Sequence, residues 1–83
     1  MGDVLDIAAE DLRRAGLRVG PRFETLFRVS GRAGRSAAVL RQNGKPWIVL
    51  LQNDHILARH AVTEWTPHHT SAVQAWIEGG DRG

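Results

Sequence analysis

The chain has no cysteine, a single lysine and no long apolar run. Without cysteine, neither a disulfide framework nor a thiolate metal site can hold the fold together. Eighty-three residues is near the size at which one hydrophobic core is only just sufficient. Stability must therefore come from packing, supplemented by self-association, and a homo-oligomer is expected. The most apolar stretch, Ile48-Val49-Leu50-Leu51, falls far short of the ~20 residues that span a bilayer. The start is acidic, with Asp3 and Asp6, and lacks the basic and apolar segments of a signal peptide. A cytoplasmic protein without membrane association is the expectation.

Catalytic and cofactor motifs are also lacking. Gly31-Arg32-Ala33-Gly34-Arg35-Ser36 has the glycines of a phosphate-binding loop but not its Gly-Lys-Ser/Thr ending, which excludes nucleotide hydrolysis. Ser30, Ser36 and Ser71 do not sit in a nucleophile-elbow context. Four histidines, His55, His60, His68 and His69, match no metal-ligand spacing, so no metal and no cofactor are expected. His60 is the one weak catalytic candidate, because an imidazole titrates near neutrality and can act as a general base.

What is present is a marked charge asymmetry. Residues 1–11 carry four acids and no base, and residues 12–53 carry nine bases against Glu24 alone. Residues 54–83 return to two bases against four acids. Net charge is only +2, and ten of the eleven bases are arginine. That bias suits a GC-rich genome, such as an actinobacterium or its phage. Arg28, Arg32, Arg35, Arg41 and Lys45 would form a basic hairpin able to grip phosphates, the minimum requirement for a nucleic-acid contact.

Periodicity predicts the elements. Asp3 is an N-cap, and Val4, Leu5, Ala8, Ala9, Leu12 and Ala15 form one helical stripe. Gly16 ends that helix as a C′ residue. Phe23, Thr25, Phe27 and Val29 alternate as a strand to Ser30, with Leu26 out of phase. A second strand at 37–42 leads through Asn43-Gly44, a type I′ hairpin signal, into Trp47–Gln52. Asn53-Asp54 makes another tight turn into a strand from His55 to Val62. The implied register sets Leu40 opposite Trp47, Ala38 opposite Val49 and Leu51 opposite Ile56, then Val49 opposite Ala58 and Trp47 opposite His60. Both faces of Trp47–Leu51 are apolar, which predicts a central strand covered on both sides. Thr66-Pro67 opens a second helix to about Ile77, closed by Gly79-Gly80, with 79–83 a frayed tail. The fold class is α+β: one domain over 1–83, α-β-β-β(-β)-α, a three- to four-stranded antiparallel meander packed by two helices.

In outline that order resembles double-stranded RNA-binding domains and HicA-like ribonuclease toxins. Thr66-Pro67-His68-His69 stands where the former carry a lysine-rich anchor, and the Gly-Ser-His strand motif of the latter does not occur, so neither family is assigned. The functional expectation is a small non-enzymatic binding or accessory domain that uses its sheet or basic hairpin, with nucleic acid the first partner considered. The alternatives are a phage- or mobile-element-type protein that modulates a host protein, and a small HicA-like ribonuclease toxin. Trp65, between strand and helix, and Trp47 are the candidate protein contacts.

Overall fold

A computed structural model describes residues 3–79. The elements are α1 (Val4–Arg14), β1 (Arg18–Val19), β2 (Leu26–Ser30), β3 (Arg35–Gln42), β4 (Lys45–Gln52), β5 (His55–Ala61) and α2 (Pro67–Ile77). The five strands make one antiparallel meander in sequential order. This is the expected α+β architecture with one more strand, a two-residue β1 too short to show a period. Of the tail expected at 79–83, residues 80–83 lie outside the described residues.

α1 begins where the Asp3 carboxylate accepts from the Asp6 N–H at 3.1 Å, a cap worth about 1 kcal/mol. It ends in a Schellman turn: Gly16, at φ 90°, donates to Arg13, and Leu17 donates to Leu12 at 3.1 Å. α2 starts with proline at its first position behind Thr66, where the missing N–H costs nothing. His69 takes the place of the usual Glu in a capping box: the Thr66 N–H donates to His69 Nδ1 at 3.1 Å.

Three tight turns join β2 through β5, each with two positive-φ residues: Ala33-Gly34, Asn43-Gly44 and Asn53-Asp54. Asparagine and aspartate tolerate this conformation well; Ala33 does not, and holds it against the Cβ clash. Leu40 pairs with Trp47, Ala38 with Val49 and Leu51 with Ile56, as expected. Beyond that point the expected register is wrong by one residue. A bulge between Leu50 and Leu51 leaves Leu57 unpaired on β5, so Val49 meets Arg59, and Trp47 meets Ala61 rather than His60. β2 also begins later than the alternation implied. Phe23 and Leu26 exchange two backbone bonds, at 2.8 and 3.0 Å, in a turn that exposes Phe23.

Both helices lie on one side of the sheet, in contact with each other and with β3. Leu5, Ala8 and Leu12 of α1 and Val73 and Ile77 of α2 meet Phe27, Val29, Ala37, Val39 and Ile48 there in one buried cluster. The expectation that Trp47–Leu51 is covered on both sides is corrected: its second face has no helix layer.

Candidate binding face

Pairing sorts the sheet into rows. Leu26, Leu40 and Trp47 form one row on the open face. Arg28, Ala38, Val49 and Arg59 form the next, and Ser36, Leu51 and Ile56 follow. All of these side chains but Ser36 line, with Thr25, Arg41 and Gln42, a trough of about 440 Å³. Its floor is aliphatic: Ala38 and Val49 are buried by their neighbours, without a second layer. Arginine stems supply part of that cover while their guanidinium groups reach water. Arg59 lies 5.3 Å above the centre of the Trp47 ring, within cation–π reach. Arg28 stands at the opposite wall, 3.4 Å from the Asp54 carboxylate and 3.5 Å from Ser36 Oγ.

The expected basic hairpin is taken apart by its own contacts. Arg35 is stacked 4.4 Å over the Trp76 ring and donates to the Trp76 carbonyl at 3.3 Å. Trp76 Nε1 donates to the Ser36 carbonyl at 2.9 Å, and the Arg32 N–H donates to the Ile77 carbonyl at 3.1 Å. The Gly31–Ser36 tip thus grips the C-terminal end of α2, where a cation also meets the negative end of the helix dipole. Arg41 pairs with Asp3 at 3.0 Å. Arg22 reaches the same carboxylate at 3.3 Å and pairs with Asp6 as well. The acidic start of the chain therefore folds onto the basic hairpin. Asp3 is held below its ordinary pKa first by the Asp6 N–H, which outweighs the opposing cost of burial, with Arg41 and Arg22 adding to the depression. Arg32 and Lys45 remain exposed at opposite ends of the sheet, one in the β2–β3 turn and one beside the β3–β4 turn. No continuous basic track joins the five residues.

Trp65 is a core residue, 8 % exposed, whose Nε1 donates to Thr70 Oγ1 at 2.8 Å. The last helix claims it, so it offers no contact surface. His60 faces the helix side with Ile48, because the Leu57 bulge has turned it away from Trp47. It lines a cavity of about 290 Å³ with His68 and His69, and no acid lines that cavity. Among the described residues no group of three His, Cys, Asp or Glu side chains is placed to hold a metal, and none of their helices is long and apolar enough to cross a membrane. The residues the sequence reading missed are Arg59 and Leu26. Both gain meaning only from the rows, which the local pattern did not reveal.

Comparison of the chain with protein-family models, with curated proteins and with solved structures gives no match.

Proposed function

We propose that the chain is a non-enzymatic binding domain whose contact surface is the open face of the sheet, and that its partner is a polypeptide segment combining apolar and acidic side chains. The observation that carries this reading is the trough itself: an aliphatic floor around Trp47 with one arginine at each wall. Apolar patches of this kind are rare on surfaces with no partner, and aromatic and arginine residues at the centre of a patch are the commonest anchors of protein interfaces.

The chemistry argues against phosphate tracking. Nucleic-acid grooves need several cations in line and aromatic platforms for stacking. Here one aromatic side chain stands among six aliphatic ones, and three of the five expected cations, Arg28, Arg35 and Arg41, are engaged within the domain. Arg28 and Arg59 stand at opposite ends of one row, three strand spacings or about 14 Å apart. Carboxylates near the two ends of a short apolar segment match that separation: about four residues apart in a strand, or nine to ten in a helix.

Selection of short random peptides on the intact chain tests the reading. Binders should combine Leu, Ile or Phe with Asp or Glu, and lose affinity by tenfold or more in Trp47→Ala and Arg59→Ala, the range expected when an anchor is truncated. Binders indifferent to both substitutions would refute it. Retention on a single-stranded oligonucleotide, with affinity falling steeply with salt, would replace it with nucleic-acid binding.

A further inference from the structure

The two edges of the sheet are built differently. β1 has two residues and lies against α1. β5 has seven, and among the described residues no strand pairs with its outer side. The Val62 N–H donates to the Pro46 carbonyl at 3.0 Å. Antiparallel bonding alternates along a strand, so His60 and Ala58 turn their backbone groups to β4, and Arg59 and Ala61 turn theirs outward.

Natural edges are guarded by proline, lysine, inward-pointing charge, bulges or a covering segment. β5 contains no proline, lysine or acid. Its guards are the Arg59 charge and the bulge at Leu57, which leaves Ala58–Ala61 regular. Beside it, Ile56 and Leu57 are 59 % and 58 % exposed.

We propose that β5 pairs antiparallel with β5 of a second copy of this chain, joining the two five-stranded sheets edge to edge. Outward backbone groups otherwise left to water can be paired in series by another extended backbone, and a twofold axis supplies one that matches by construction. Because β1 offers no comparable edge, this pairing uses up the long edge of each copy and the assembly stops at two. Two Arg59 side chains directly opposite would repel. The axis therefore passes His60, which sets Arg59 across from Ala61 of the second copy, each with its outward backbone groups turned to the other. With the axis normal to the sheet, both helix layers fall on one side and both troughs on the other. The inference stands on the edge and does not require that the trough bind anything.

Sedimentation velocity on the full chain, from micromolar to millimolar concentration, tests it. The wild type should pass from its 9.2 kDa mass to twice that value. Ala61→Pro deletes an outward N–H that β4 does not use, and should weaken association by about tenfold or more with an unchanged circular dichroism spectrum. His60→Lys, at an exposed position on the axis, sets two like charges face to face; it should do the same and decides the matter if the proline variant misfolds. Amides of Arg59 and Ala61 should gain protection from hydrogen exchange as the dimer forms. A wild type that stays monomeric, a dimer untouched by His60→Lys, or a dimer with unprotected edge amides would each overturn the proposal.

Discussion

Gly31→Ala is the sharpest test of how the basic tip is used. A Cβ at this position would lie 2.6 Å from Ile77 Cγ2, 2.7 Å from the Ile77 carbonyl oxygen and 2.8 Å from the Arg35 carbonyl oxygen. Side-chain rotation can relieve only the first of these; the other two are backbone atoms. Gly31 is not in the left-handed region, so alanine suffers no backbone strain there and the cost is steric. Overpacking of this kind costs about 1–3 kcal/mol. Prying the tip from α2 also strains the Arg32 N–H to Ile77 bond, worth about 1 kcal/mol. Against this, alanine stabilises by about 0.4–1 kcal/mol through the lost freedom of the unfolded chain. The net expectation is a loss near 2 kcal/mol.

For a domain of this size that loss lowers Tm by about 8–16 °C. Urea unfolding followed by tryptophan fluorescence reads it directly: the midpoint should fall with the slope unchanged. The near-ultraviolet signal of Trp76 should weaken first. A Gly31→Ala variant as stable as the wild type would refute the docking of the hairpin on α2, and would return Arg32 and Arg35 to the role of free anion contacts.

Further outcomes follow from the same contacts. Trp76→Phe keeps the ring but deletes the donor to the Ser36 carbonyl at 2.9 Å; it should cost about 1 kcal/mol in urea unfolding. Asp3→Ala should cost about 1–2 kcal/mol through the lost cap, whereas Asp3→Asn should cost less, because asparagine also caps a helix. Asp3 is depressed below its ordinary pKa, so its stabilisation is complete above that ordinary value and is lost as pH falls through the depressed one. In acid titration wild type and Asp3→Asn should therefore converge, and a constant difference between them down to the lowest pH would contradict the assignment. His60→Ala should leave the trough intact, and any loss of peptide binding would show that His60 acts across the sheet.

Local signals carried much of the fold. Asp3, Gly16 and the Thr66-Pro67 pair mark helix ends because caps depend on a few neighbouring residues. Asn43-Gly44 fixes the β3–β4 register for the same reason. The bulge at Leu57 had no such sign, since no glycine or proline stands there, and it alone moved His60 from the Trp47 face to the helix face. Arg35 and Trp76 are 41 residues apart, and nothing local distinguishes a guanidinium that will stack on a ring from one that will meet phosphate. The acidic start and the basic middle were visible as blocks. That Asp3 binds both Arg22 and Arg41 depends on the return of the chain, which composition does not encode.

The open face was legible only in part: the doubly apolar β4 implied two covered sides, and geometry shows why one had to remain bare. Five strands span four spacings, about 19 Å. Two helices side by side, each about 10 Å across, are just wide enough to cover that width, and their eleven residues apiece give about 16 Å of length. Covering one face therefore uses both helices. Leu26, Leu40, Trp47, Leu51 and Ile56 cannot be core within one chain. Antiparallel sheets with one wet face commonly carry polar residues there. The apolar residues that no internal layer covers are instead held around a tryptophan, with an arginine at each wall, and it is this composition on which the proposed polypeptide contact rests.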